Sequence, residues 1–192
     1  MKKIIVTGCN GQLGRAINVE LGGNTQYELV NTDVAELDIT SIDKVMELAR
    51  EVKPYAIINC AAHTGVDACE TQLDAAYKIN AIGPRNLSIA ATETGAKIIH
   101  VSTDYVLPGD GNKPYTEFDP VGPKGVYGKT KLEGEKFVKQ FARDHFILRT
   151  AWLYGDGKNF VRTMLRLAKE KESINVVADQ HGSPTYAVDL AN

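Results

Sequence analysis

Charge of one sign, cysteine and long apolar runs are all scarce in these 192 residues. Lysine and arginine number 22 against 24 aspartates and glutamates, a formal net charge of −2. The two signs are interspersed, which leaves no basic face for nucleic acid and no cationic stripe for a membrane surface. No apolar stretch approaches the ~20 residues that span a bilayer. Met1-Lys2-Lys3 ahead of Ile4-Ile5-Val6 imitates a signal peptide. The stretch breaks at Gly8 without a cleavage site, so it reads as a buried first strand. Three cysteines, Cys9, Cys60 and Cys69, are too few for a disulfide framework. They point to a reducing cytoplasm and to small, partly buried apolar roles rather than to a catalytic thiol.

What is present is an alternation of short apolar strands and amphipathic helices, in a chain of ordinary single-domain length. Strands are predicted at Lys3–Thr7, Tyr27–Asn31, Ala56–Cys60, Lys97–Ser102 and Phe146–Thr150. Helices are predicted over Gln12–Leu21, Ser41–Val52, Leu73–Thr94, Tyr127–Phe141 and Phe160–Lys171. Ser41 is a candidate N-cap with Pro54 just past that helix's end, and Gly95 is a candidate C-cap. The strands are near-continuous in Val and Ile, which marks burial on both faces. The fold class expected is therefore α/β, a doubly wound parallel sheet of Rossmann type. Its ligand crevice lies at the carboxyl ends of the strands. Gly8, Asp33, His63, Thr103 and Trp152 all follow strand ends. The Pro/Gly/Asp/Asn-rich stretch Pro108–Pro123 is either a lid or a solvated connection. Tyr186–Ala191 opens a further helix with Thr185 as a possible cap. The sequence stops within that pattern, as expected of a fragment of a longer protein.

Thr7-Gly8-Cys9-Asn10-Gly11-Gln12-Leu13-Gly14 joins the first strand to the first helix with G-x-x-G-x-x-G spacing. Glycine permits the tight turn and a close backbone approach to a pyrophosphate. The helix N-terminus behind it offers unpaired N–H groups and a positive dipole end. A glycine trio alone is weak, but the strand–loop–helix context is the one that phosphate binding requires. Asp33, about 20 residues further on, can accept from an adenosine ribose. Its carboxylate repels a 2′-phosphate, which favours NADH over NADPH, although Arg15 stands just past the loop. Asp38-Ile39-Thr40 suits an adenine edge, with a helix-capping segment as the plainer reading.

Tyr127 and Lys131 stand at i and i+4, on one helical face. A free phenol titrates near ~10. A neighbouring ammonium favours phenolate and makes the phenol a general acid for a carbonyl receiving hydride. Tyr-x-x-x-Lys arises often by chance. The cofactor loop and the Ser102-Thr103-Asp104 turn, where a hydroxyl can polarise the same carbonyl, shift the balance here. Asn80 is a polar residue inside an otherwise suitable helix, placed to bend it or to hold a water. His63, Asp67, Cys69 and Glu70 match no zinc spacing and read as a polar pocket wall with a helix start.

Five segments together resemble the extended short-chain dehydrogenases, closest to the members that reduce dTDP-linked 4-keto-6-deoxy-sugars. They are Gly8–Gly14, Asn59-Cys60-Ala61-Ala62-His63-Thr64, Ser102-Thr103-Asp104-Tyr105-Val106, Tyr127–Lys131 and Asp179-Gln180-His181-Gly182-Ser183-Pro184-Thr185. The resemblance runs over essentially the whole chain in the family's order. It implies a catalytic set at Thr103, Tyr127 and Lys131. It implies contacts to NADH or NADPH at Gly8, Asn10, Gly11, Gln12, Leu13, Asp33, Asp38, Ile39, Ala61, Ala62, Asn80, Tyr127 and Lys131. It implies a sugar pocket at Val66, Thr103, Asp104, Tyr105 and Trp152, the last as an aromatic platform rather than core packing. Residues 1–150 are then a dinucleotide-binding domain and 151–192 the start of a truncated substrate-binding region. The partners implied are a nucleotide-sugar, no nucleic acid, no membrane and a possible homodimer. Two other readings are a non-catalytic dinucleotide-binding regulatory subunit and a nucleotide-sugar epimerase or dehydratase. The intact Thr103, Tyr127 and Lys131 speak against the first. The absence of a glutamate beside Thr103 speaks against the second.

Overall fold

The computed structural model describes residues 1–192. Its Val/Ile runs form a five-stranded parallel sheet in the order β2-β1-β3-β4-β5. The strands are β1 (Lys2–Thr7), β2 (Tyr27–Thr32), β3 (Ala56–Asn59), β4 (Lys97–Thr103) and β5 (His145–Thr150). The order reverses between β1 and β3, so the crevice expected of a doubly wound sheet opens there. Ile5, Ile57 and Ile98 are register neighbours. They point to one face, into a core shared with Val45 and Met46 of α2 (Ile42–Val52) and Leu87 of α5 (Gly83–Thr94). Ile4, Val6 and Ala56 point to the other face and meet Leu13 and Ile17 of α1 (Gln12–Leu21). Each fully buried aliphatic side chain contributes about 1.5–3 kcal/mol by leaving water.

Burial on both faces holds for β1, β3 and β4 but not for β5. Phe146 and Leu148 pair with Ile99 and Val101 on the α1 side of the sheet, and both are exposed. After β5 the chain forms a two-stranded parallel pair, β6 (Leu153–Tyr154) with β7 (Thr185–Tyr186). Between them lies α7 (Phe160–Glu170), which buries no residue and leaves Phe160, Val161 and Leu165 exposed. Thr185 lies in β7 rather than capping the last helix, α8 (Ala187–Ala191), whose Leu190 and Ala191 pack beside Ile17. No helix is long and apolar enough to cross a membrane.

The predicted helix over Leu73–Thr94 is broken. After α3 (Val66–Cys69), α4 (Leu73–Tyr77) leads into a π turn at Lys78–Ile82 and then into α5. Pro84, near the start of α5, has no N–H for the carbonyl four residues back, that of Asn80. The freed Asn80 carbonyl points at α6 (Val126–Phe141), where a Cβ on Gly134 would collide with it. Glycine at 134 therefore lets the two helices approach where the helical ladder is interrupted.

Candidate active site

A cleft of about 980 Å³ runs along the carboxyl ends of the strands. It extends from Asp33 past the glycine loop to Tyr127 and Trp152. Gly8 has φ +64°, and a Cβ there would lie 2.8 Å from the Ala61 nitrogen. A Cβ on Gly14 would meet the Gly8 carbonyl at 2.5 Å. These two glycines let loop, helix and β3 turn close up. Gly11 caps α1 without a side-chain bond, so the first-turn N–H groups have no side-chain acceptor. That is a cradle for an anion.

At the β2 end, the Asp33 carboxylate accepts from the Asn10 N–H at 3.1 Å and from the Val34 N–H at 2.8 Å. It thus braces the loop as well as lining the cleft. Asp38 accepts from the Thr40 N–H at 2.9 Å and from the Thr40 hydroxyl at 2.7 Å, which hold its carboxyl below the usual range. Asp38 and Thr40 thus form a hydrogen-bonded turn just ahead of Ser41, the N-cap of α2, and Asp38 and Ile39 also line the cleft. Gln12 has a tied side chain. Its Nε2 donates to the Leu153 carbonyl at 3.3 Å, and its Oε1 accepts from Asn159 at 3.0 Å. The connection at 155–159 is thereby strapped to the glycine loop, and Asp156, Gly157 and Lys158 enter the cleft wall. Sequence reasoning missed this segment. The paired glycines Gly155 and Gly157 just after a strand were the available signal.

At the other end, Thr103 closes β4. Its hydroxyl donates to Asp104 Oδ1 at 3.0 Å and accepts from the Tyr105 N–H at 3.1 Å. The Tyr105 ring meets Tyr127 edge-on, with centroids 5.6 Å apart. Burial pushes the Asp104 carboxyl up. Val66, Thr103, Asp104, Tyr105, Tyr127, Lys131 and Trp152 all line this half of the cleft. Trp152 holds a left-handed backbone (φ +46°), unusual for a bulky residue, with its ring against Gly182.

Two expectations need correction. Lys131 does not lower the pKa of Tyr127. Burial, and then the nearby Asp104, raise the phenol to about 12, and only Thr103 pulls the other way. The Lys131 ammonium instead donates to the Val101 carbonyl at 2.6 Å and is 2% exposed. Burial brings it down to about 8, against the opposing pull of Glu135 and Cys60. Asn80 is not in the cleft wall. Fully buried, it accepts from the His63 N–H at 2.8 Å and donates to the His63 carbonyl at 3.1 Å and to Thr130 at 3.2 Å. It clamps the β3 turn to α6 one residue before Lys131. Of the two alternatives for Pro108–Pro123, the solvated connection fits better, since no residue of the stretch lines the cleft. Its bonds are local: the Tyr115 hydroxyl accepts from the Asp110 and Gly111 N–H groups, and Asp119 accepts from Thr116. His63, Cys69 and Glu70 are engaged in structure, with Glu70 accepting from the Val126 N–H at the start of α6 at 2.8 Å.

The sequence of residues 1–192 matches the family described as RmlD substrate binding domain. The chain belongs to that family. It is 45% identical over 193 residues to dTDP-4-dehydrorhamnose reductase of Aggregatibacter actinomycetemcomitans, with 100% of this chain and 66% of that protein covered. The Escherichia coli protein of the same name is 44% identical, with 98% of this chain and 64% of that protein covered. Among solved structures, dTDP-4-dehydrorhamnose reductase of Clostridium acetobutylicum superposes with a TM-score of 0.96 at 57% identity, covering 98% of this chain and 67% of that one. The Bacillus anthracis protein, solved in complex with NADP, gives a TM-score of 0.95 at 49% identity, covering 100% of this chain and 68% of that one. The chain thus spans about two thirds of the length of these relatives.

Proposed function

We propose that this chain carries the dinucleotide site and the proton-transfer residues of an NAD(P)H-dependent reductase. Its substrate is dTDP-4-dehydrorhamnose, reduced to dTDP-L-rhamnose for cell-surface polysaccharide. The observation that carries the reading is one continuous cleft joining the glycine loop and Asp33 to Thr103, Tyr127 and Lys131. The chain's relatives in the family support it.

The cradle fits a dinucleotide. The α1 N-terminus and glycine loop hold the pyrophosphate, Asp33 the adenosine ribose, Ile39, Ala61 and Ala62 the adenine side and the wall beyond. Asp33 favours NADH, and Arg15 on the same wall gives NADPH a cation. When bound in this cleft, a reduced nicotinamide would supply the hydride that C4 of the keto-sugar accepts. The chain's own residues do the rest. Thr103 donates a hydrogen bond to the C4 carbonyl oxygen and Tyr127 gives it the phenolic proton, so that C=O becomes CH–OH. A phenol near 12 is fully protonated at neutral pH, hence loaded as an acid, yet still acidic enough to protonate a developing alkoxide. Lys131 keeps positive charge at this end of the cleft and would hold the nicotinamide ribose. Val66, Asp104, Tyr105 and Trp152 border the sugar, and residues 151–192 begin the substrate-binding region. Oxidation of NADH and NADPH by the full-length protein with dTDP-4-dehydrorhamnose tests this. Consumption of either cofactor that depends on the keto-sugar is expected. Cofactor binding with no keto-sugar reduction would instead favour a regulatory subunit.

A further inference from the structure

Behind Lys131, away from the cleft, lies a second buried charge. Glu135 follows Lys131 by one turn of α6, so the two leave the same helical face. Glu135 is fully buried and does not line the cleft. Its Oε1 accepts from the Ser102 hydroxyl at 2.6 Å and from Arg149 Nε at 2.9 Å, and its Oε2 accepts from a second Arg149 nitrogen at 2.7 Å. Ser102 and Arg149 are register partners on β4 and β5. Ser102 also sits between Val101, whose carbonyl takes the Lys131 ammonium, and Thr103 at the cleft. One carboxylate thus ties α6 to both strands within a residue of each anchor of the site. A buried ion pair is a weak source of net stability compared with well-packed apolar residues. Stability alone therefore does not account for it.

Lys131 shares its helical face with Tyr127 and Glu135, and the other titratable groups beside it are Cys60 past β3 and His100 on β4, with Arg149 of β5 behind Glu135. Burial keeps the Cys60 thiol protonated, at about 12, and the His100 ring neutral, well below its ordinary value. Glu135 remains ionised, because Arg149 and Ser102 outweigh the effect of burial on its carboxyl. Its oxygens bond Ser102 and Arg149, so its charge acts on the Lys131 ammonium across one turn of α6 rather than through a direct ion pair.

We infer that Glu135 is a positioning residue for the reduction: it keeps Lys131 cationic and fixes the Val101–Thr103 strand end against α6. The inference rests on the role given to Lys131 above. Two readouts test it in the full chain. The first is the NMR titration of the lysine side-chain carbons, with Lys131→Met identifying the resonance. In Glu135→Gln the Lys131 midpoint should fall by about one pH unit, as expected for loss of an adjacent opposite charge. Glu135→Asp, which keeps the charge, should restore it. Glu135→Gln combined with Arg149→Met guards against misfolding from an uncompensated arginine, and its Lys131 midpoint should lie below that of Arg149→Met alone, which isolates the carboxylate charge. The second readout is the alkaline limb of kcat/KM, which should move acidward with the midpoint. A folded Glu135→Gln protein whose Lys131 midpoint or alkaline limb is unchanged overturns the inference. If the unaltered protein reduces no keto-sugar, the proposed function fails instead, and the NMR titration alone decides whether Glu135 controls Lys131.

Discussion

The Lys131 ammonium donates to the carbonyl of Val101 at 2.6 Å, inside the sheet–helix interface rather than against the Tyr127 phenol. The two residues are one helical turn apart and line one cleft. They nevertheless have different surroundings and different tasks. Burial pushes the Tyr127 phenol up to about 12 and brings the Lys131 ammonium down to about 8.

Lys131 is expected to cost the fold stability at neutral pH. Its value falls from an ordinary 10.5 to about 8 on folding. Below pH 8 both states are protonated and the cost is fully present. Between about 8 and 10.5 the unfolded chain binds the extra proton, so stability rises with pH. The cost is on the order of 3 kcal/mol. Lys131→Met should therefore raise the denaturation midpoint at pH 7 and abolish turnover, and its stability advantage should disappear by pH 10.5. Equal denaturation midpoints for the two proteins at pH 7 would sink this.

Gly8→Ala places a Cβ 2.8 Å from the Ala61 nitrogen on a backbone with φ +64°. A loss of at least ~2 kcal/mol in stability is expected, together with loss of NADH binding. Gly23 has open space around it, so Gly23→Ala serves as the control and should bind normally. Thermal melts and a fluorescence titration check both variants. Trp152, the one tryptophan in the chain, lies in the cleft wall and reports on the titration.

Asp33→Asn removes the charge that opposes a 2′-phosphate and keeps an acceptor for the Asn10 N–H. The ratio of NADPH to NADH affinity should rise roughly tenfold, about 1.4 kcal/mol. Calorimetry with each cofactor measures it. An unchanged ratio would mean that Asp33 acts only as a brace for the loop.

The parts of the site that could be read from the sequence were those encoded by local patterns. The Gly8–Gly14 loop sits between a Val/Ile strand and an amphipathic helix, and Asp33 ends the next strand. The i, i+4 spacing of Tyr127 and Lys131 put them on one helix. Long-range competition hid the rest. The side chain of Asn80 went to the His63 backbone because the π turn, induced at Pro84, aimed it there. The Lys131 ammonium had a nearer acceptor on β4 than any group on its own helix. The strap from Gln12 to Asn159 joins residues 147 positions apart, and no local period reports such a contact. The exposed Phe146 and Leu148 belong to a strand whose composition resembles its buried neighbours.

The most direct test of the central claim is hydride transfer to dTDP-4-dehydrorhamnose by the full-length protein carrying Tyr127→Phe, followed by the absorbance of the reduced cofactor. A fall in kcat of about 10²–10⁴-fold is predicted, with cofactor affinity within a few-fold of the unaltered protein. Undiminished turnover in that variant would contradict the assignment of Tyr127 as the proton donor.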